Sequence, residues 1–295
     1  MCKLAFRVGL CLLGLSLYSV NIYGQQIFSC IGKSGKKIYT DKRHLCKSSG
    51  EKAQDVIQHV ELAEPNLHSK YGATISKEYR NYAFRSYEPL TGYNINIIAE
   101  KRLTTEHPEL LQKAAVKLEK AVRRAFKAFP SSILGEFSDV KFYLFTGDEA
   151  RTGGRHGGQW YFREGNRFSR RFDDSVVVRS VKDYIKYKSL TAAQFAVHEL
   201  SHAYYSYHWK RLYRPAKKAF ENAKNKKLYE NVEHKSGRLV TKAYARENSH
   251  EYFAELATTY FLSNSYYPFN ARDLATYDPE GYEMIENAFL NIEPN

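Results

Sequence analysis

Residues 198–202 read His-Glu-Leu-Ser-His, and this spacing constrains the chain more than any other feature of its sequence. The surrounding segment, residues 191–205, is rich in alanine and apolar residues and predicts a helix. On a helix, two residues that are four apart project from the same face, so His198 and His202 point in one direction. The sequence therefore predicts a helix that presents two imidazoles side by side.

Two imidazoles in this arrangement can share one zinc ion, and Glu199 lies beside them where it can accept a proton from water. Zinc lowers the pKa of a bound water from about 15.7 towards about 7, which makes hydroxide available at neutral pH. The motif thus predicts one Zn²⁺ per chain and a hydrolytic reaction. A catalytic zinc site needs a third protein ligand as well as the water.

Two regions compete to supply that third ligand. His208 lies six residues after His202, the spacing of the metzincin pattern, but Tyr205 stands where that pattern has a glycine. If the helix continues, His208 lies about 600° round from His202 and away from the metal-binding face. The other region contains Glu251 and Glu255, which are four apart and share a helix face. One carboxylate can bind zinc while the other accepts the remaining N–H of a zinc-bound histidine.

Together the two motifs resemble those of a gluzincin metallopeptidase. The residues of the second motif resemble the catalytic domain of anthrax toxin lethal factor and its relatives: Tyr244, Arg246, Asn248, Glu251, Phe253, Ala254 and Glu255. The resemblance covers residues 192–261. It implies that Glu251 is the third zinc ligand, that Glu255 supports the site, and that Tyr244 stabilises the oxyanion. Glu255 and His208 remain the alternative ligands.

The first 24 residues have the pattern of a secretory signal peptide. Lys3 and Arg7 precede an uncharged stretch at residues 8–20, which is too short for a comfortable membrane span. We therefore expect the mature chain to be exported, to the periplasm or the extracellular medium, without a transmembrane segment.

Export changes the expected state of the four cysteines. Cys2 and Cys11 fall within the predicted signal peptide, which leaves Cys30 and Cys46. A lone pair in an oxidising compartment predicts one disulfide. Around Cys30, two short β-prone runs flank Gly-Lys-Ser-Gly, which indicates a hairpin. Residues 25–60 are thus predicted to form a small disulfide-tied β module.

This module has a short resemblance of its own, to a small domain of unknown function near the N-terminus of many exported bacterial proteins. The residues that carry it are Phe28, Cys30, Gly35, Ile38, Tyr39, Thr40 and Asp41. The polar segment that follows, residues 61–91, is predicted to be a linker. A short helix is predicted at its N-terminal side, over residues 51–62.

For the rest of the chain, residues 92–295, the pattern and the resemblance predict an α+β, zincin-like metallopeptidase domain. We expect a small mixed sheet, the helix with the two histidines, and a mostly helical C-terminal half. The predicted strands are 94–99, 140–145 and 175–181, and the predicted amphipathic helix is 108–129. The run of valines at 175–179 fits either a buried core strand or a sheet edge that binds substrate.

The function expected from these features is zinc-dependent hydrolysis of peptide bonds in a peptide or protein substrate. The alternatives are a hydrolase of cell-wall peptides and a non-catalytic envelope protein with a relict zincin domain. The formal net charge of +13 favours anionic surroundings such as an envelope surface. No nucleic-acid recognition motif accompanies the charge, and export argues against a nucleic-acid partner.

Overall fold

The structure is a computed structural model that describes residues 28–31, 37–40, 54–55, 82–147, 158–166 and 168–290. The chain divides into two units, Met1–Ala63 and Glu64–Asn295. In the first unit, β1 (Phe28–Ile31) pairs antiparallel with β2 (Lys37–Thr40) and with β3 (Gln54–Asp55). The predicted hairpin is therefore confirmed in the backbone.

The helix predicted over residues 51–62 is wrong at residues 54 and 55. These residues pair with Ser29 and Phe28, and a ladder of this kind uses the backbone groups that a helix would bond internally. The predicted disulfide involves Cys46, which lies outside the described residues, as does the predicted signal peptide.

The second unit is built on a five-stranded mixed sheet. Its strands are β4 (Tyr87–Pro89), β5 (Asn96–Glu100), β6 (Lys141–Leu144), β7 (Gln159–Phe162) and β8 (Ser175–Val178). The order across the sheet is β4-β5-β6-β8-β7, with β5, β6 and β8 parallel and the two outer strands antiparallel to their neighbours. The two outer strands, β4 and β7, are the edges of this sheet.

Alternating side chains of the inner strands build two apolar layers. Phe142 and Val176 join the large core that the helices cover, whereas Tyr143 and Val177 join a smaller aromatic cluster on the other face. Successive residues of a strand point to opposite faces, so the continuous valine run of β8 is buried on both sides. This excludes β8 as a substrate-binding edge and confirms the alternative of a buried core strand.

Helices cover one face of the sheet and form most of the C-terminal half. They are α1 (Lys101–Glu106), α2 (Pro108–Ala128), α3 (Val181–Tyr184), α4 (Ser189–Tyr207), α5 (Trp209–Asn225), α6 (Ser249–Phe261), α7 (Ala271–Tyr277) and α8 (Pro279–Phe289). The predicted α+β class is confirmed. Among the described residues, no helix is long and apolar enough to span a membrane.

Two features of this unit were not expected from the sequence. Residues 82–91, assigned to the linker, contribute the buried Tyr82 and strand β4 to the folded unit. Between the two metal-site helices the chain forms a hairpin of β9 (Glu230–Glu233) and β10 (Leu239–Lys242), which pair antiparallel. Residues 82–91 mix aromatic and charged residues with a proline, and the two hairpin strands are mostly polar. Neither segment has the regular apolar alternation that predicts a strand.

Candidate metal centre

Helix α4 places His198 and His202 one turn apart on the same face, as their spacing predicted. Their Nε2 atoms lie 3.1 Å apart and the ring centroids 4.7 Å apart. His198 is 7% exposed and His202 is partly buried. Both imidazoles therefore direct one nitrogen to a common point that is largely shielded from solvent.

Helix α6 brings Glu251 to the same point. Its N-cap is Asn248, whose side-chain oxygen accepts hydrogen bonds from the N–H groups of His250 and Glu251. Glu251 Oε2 lies 3.0 Å from His198 Nε2 and 3.1 Å from His202 Nε2. The three donor atoms thus form a nearly equilateral triangle, and this His198–His202–Glu251 group could hold a metal ion.

Glu255, one turn further along α6, determines which nitrogen of His198 carries hydrogen. Its Oε1 lies 2.9 Å from His198 Nδ1, a contact that requires the hydrogen on Nδ1 when the carboxylate is ionised. In the neutral imidazole Nε2 then carries a lone pair, and this lone pair faces the carboxylate oxygen of Glu251. Two lone pairs at 3.0 Å repel each other unless a cation lies between them.

The electrostatics of the site lead to the same requirement. Burial alone would lower the pKa of His198, but hydrogen bonds to Glu251 and Glu255 raise that pKa well above its usual value. Burial likewise opposes ionisation of Glu251, yet the neighbouring His202 and His198 hold its pKa well below the usual range. The site therefore stabilises positive charge, which either a proton or a metal ion can supply.

The donor set has a composition that suits a divalent metal ion, zinc among the candidates. Two imidazole nitrogens and one carboxylate oxygen are ordinary zinc ligands, at bond lengths of about 2.0–2.2 Å. Tetrahedral ligands at such distances are separated by about 3.3–3.5 Å. The observed separations of 3.0–3.1 Å are shorter by only a few tenths of an ångström. Three protein ligands would leave a fourth position for water or substrate.

Glu199 lies next to the two histidines and is 6% exposed. Its Oε2 accepts a hydrogen bond from the backbone N–H of Tyr161 at 2.6 Å, so the edge strand β7 holds this carboxylate in place. Burial raises the pKa of Glu199, although the nearby His198 and His202 oppose that rise. A carboxylate with a raised pKa is a stronger base than an ordinary surface glutamate.

Tyr244 lies at the start of a 3₁₀ turn, Tyr244–Arg246, just before α6. Its ring stacks on His198 with 5.9 Å between centroids, and the residue is 46% exposed. Desolvation and the carboxylates of Glu251 and Glu199 raise the pKa of its hydroxyl. The hydroxyl therefore remains protonated at neutral pH and can donate a hydrogen bond.

The other histidines near these helices lie outside the donor set. His208 caps the C-terminus of α4, and its Nε2 lies 2.6 Å from Glu136 Oε2. His250 packs against Tyr205 and Trp209, where burial lowers its pKa to about 4. The geometry therefore does not support His208 as a metal ligand. The metzincin alternative, which needs His208 as its third ligand, is not supported either.

Several groups that support the site carried no recognisable signal in the sequence. Asn264 Nδ2 donates to Glu255 Oε2 at 3.0 Å, and the Tyr266 hydroxyl contacts the same oxygen. Asp174 accepts hydrogen bonds from the hydroxyls of Tyr161 and Tyr207, which ties β7 to the end of α4. These residues have no fixed sequence separation from either of the two motifs. Their role at the site is therefore visible only in the folded chain.

No protein-family model matches the chain, and no curated protein matches it either.

Proposed function

We propose that this chain is a zinc-dependent metallopeptidase of the gluzincin type, with a zincin-like catalytic domain. The observation that carries the proposal is the convergence of His198, His202 and Glu251, whose donor atoms lie 3.0–3.1 Å from one another. The buried carboxylate of Glu199 and the hydroxyl of Tyr244 flank this point. A metal-binding group with an adjacent base and an adjacent donor is the minimum set for metal-assisted hydrolysis.

In this proposal His198, His202 and Glu251 hold the zinc, and Glu255 fixes His198 in the required tautomer. Bound zinc would supply Lewis acidity, which lowers the pKa of water and polarises a carbonyl group. Glu199 accepts a proton from the attacking water and later transfers it to the leaving amine. Tyr244 donates a hydrogen bond to the oxygen of the substrate carbonyl as negative charge develops there.

The edge strand β7 supports an extended peptide as the substrate. It forms one border of the sheet and contacts Glu199 through the amide of Tyr161. An edge strand offers main-chain donors and acceptors to a peptide that lies alongside it. A peptide bound along this edge would lie close to Glu199, which itself occupies the amide of Tyr161.

We also propose that the protein acts outside the cytoplasm, in the periplasm or the extracellular medium. The signal-like pattern of residues 1–24 supports this location, and the net charge of +13 suits an anionic envelope surface.

The test is to purify the protein, measure its metal content, and assay cleavage of casein and of peptidoglycan peptides. We expect one zinc per chain, cleavage of casein, loss of cleavage after chelation and recovery when zinc is restored. Cleavage of peptidoglycan peptides alone would move the assignment to a cell-wall hydrolase. A fully zinc-loaded protein that cleaves neither substrate would contradict the proposal and favour a binding role.

A further inference from the structure

A pocket of about 260 Å³ adjoins the metal centre. Tyr244 and Tyr266 line this pocket, and each also contacts the centre. The ring of Tyr244 stacks on His198, and the hydroxyl of Tyr266 contacts Glu255. These two tyrosines therefore connect the pocket to the residues of the metal centre.

The size of the pocket suits one amino-acid side chain. Pockets that enclose a whole small molecule usually measure about 300–1,000 Å³, and this one is smaller. Val240 and Ala243 contribute apolar surface to its lining, and Arg238, Lys242 and Glu247 contribute exposed charged side chains. A side chain with a short apolar stem and a charged end matches such a lining.

The charges of the lining do not cancel. Lys242 Nζ lies 2.7 Å from Glu247 Oε2, so these two residues form a pair with no net charge. Arg238 also lines the pocket, and within the described part of the chain its guanidinium has no carboxylate partner. The pocket therefore presents one uncompensated positive charge and the five N–H donors of a guanidinium.

The backbone that carries Arg238 is fixed to the rest of the domain. The carbonyl of Arg238 accepts a hydrogen bond from the His234 N–H at 2.9 Å, across a tight turn in which Gly237 has φ +78°. Lys235 N–H donates to the Ser265 carbonyl at 2.8 Å, which attaches this turn to the loop that contains Tyr266. A cation on such a support can select a ligand with little loss of backbone entropy.

We propose that this pocket is a specificity site for an acidic side chain of the peptide substrate, and that Arg238 recognises its carboxylate. The inference rests on the proposed peptidase function and adds to it the substrate class, peptides with Asp or Glu near the scissile bond. A guanidinium matches a carboxylate with two parallel hydrogen bonds. Glutamine, which has the same shape without the charge, forms weaker contacts with the same group.

The experiment sequences the cleavage products that the zinc-loaded enzyme releases from a peptide library of mixed composition. We expect Asp and Glu to be enriched at one fixed position relative to the scissile bond. We expect Asp and Glu to be enriched about tenfold over Asn and Gln. This factor corresponds to the lower end of the range for a hydrogen bond to a charged group, because Arg238 is exposed to solvent. The enrichment should decrease as salt is added.

Two variants separate recognition from folding. Arg238→Gln should abolish the acidic preference while peptides are still cleaved, and Arg238→Glu should replace it with a preference for Lys and Arg. The matched control is Arg124→Glu, the same change of charge at an exposed position on α2 outside the pocket. This control should keep the wild-type preference.

Binding to Glu199→Gln, which is expected to be inactive, supplies a second readout that does not depend on turnover. Fluorescence anisotropy should give about tenfold tighter binding of a Glu-containing peptide than of its Gln counterpart. Cleavage with no charge preference, or an acidic preference that survives in Arg238→Glu, would overturn the specificity site and leave the peptidase intact. Failure of the wild-type enzyme to cleave any peptide would overturn the proposed function itself.

Discussion

Helix α6 carries one buried carboxylate, Glu251, and contacts a second, Asp278, through Tyr252. The surroundings of these two carboxylates differ. Asp278 is 2% exposed, and its Oδ2 accepts hydrogen bonds from the hydroxyls of Tyr229 and Tyr252 at 2.8 and 2.5 Å. Its Oδ1 accepts the N–H of Gly281, which caps α8. Glu251 is 8% exposed, but its Oε2 faces two imidazole nitrogens, one of which Glu255 turns into an acceptor.

This difference separates a structural cluster from a candidate functional one. Around Asp278 each carboxylate oxygen meets donors that the chain itself supplies, so the cluster is complete. Around Glu251 the contact with His198 joins two acceptors while the imidazole is neutral, and a proton or a metal ion between them is needed to complete it. Buried charge alone would not distinguish the two regions, whereas the balance of donors and acceptors does.

The largest expected effect is that of Glu199→Gln on turnover. Loss of a general base typically costs about 10²–10⁴-fold in rate, and Gln keeps the shape of the side chain. Zinc content should be unchanged, because Glu199 is not in the donor triangle. The assay is peptide hydrolysis together with metal analysis of the same sample. Wild-type rates in this variant would remove Glu199 from the mechanism.

Tyr244→Phe should reduce the rate by roughly ten- to a thousandfold, the range for loss of one oxyanion donor. The ring would still stack on His198, so zinc binding and thermal stability should remain at wild-type values. Steady-state kinetics should show the loss in kcat with little change in KM. A variant that is impaired only in KM would indicate that Tyr244 serves ground-state substrate binding instead.

Glu255→Gln should weaken zinc binding by about 10–100-fold, since it disturbs the partner that fixes the tautomer of a zinc ligand. Competition with a chromogenic chelator measures this affinity. His208→Asn is the matched control, because His208 pairs with Glu136 away from the triangle. Equal losses in the two variants would contradict the role assigned to Glu255.

Asp278→Asn tests the complete cluster. If the amide oxygen accepts both phenolic hydrogens, the NH₂ group faces the N–H of Gly281, which needs an acceptor. This mismatch should cost about 1–3 kcal/mol of stability. For a domain of this size the melting temperature should fall by roughly 2–4 °C per kcal/mol. Zinc affinity should not change. A parallel loss of zinc would show that the two clusters are coupled through α6.

The sequence predicted those parts of the site that depend on local geometry. The shared face of His198 and His202 and that of Glu251 and Glu255 follow from the helical repeat. The hydrogen bond from the Tyr161 backbone N–H to Glu199 was not predictable, because every residue type except proline has this N–H group. Its position depends on the order of strands in the sheet.

The hairpin of β9 and β10 was missed for a related reason. Its residues are mostly polar, and its position is set by hydrogen bonds to a distant loop, such as that from Tyr267 N–H to the Glu233 carbonyl. Long-range contacts of this kind determine where Arg238 lies, and no local periodicity encodes them.

Titration of the metal-stripped protein with zinc tests most directly whether the convergent acceptors form a cation site. Wild-type protein and Asp278→Asn should each bind one zinc per chain with the same affinity, and Glu251→Ala should bind it far more weakly. Circular dichroism of each metal-free protein verifies that the fold is retained. Absence of zinc binding in the wild-type protein, or equal binding in Glu251→Ala, would contradict the account.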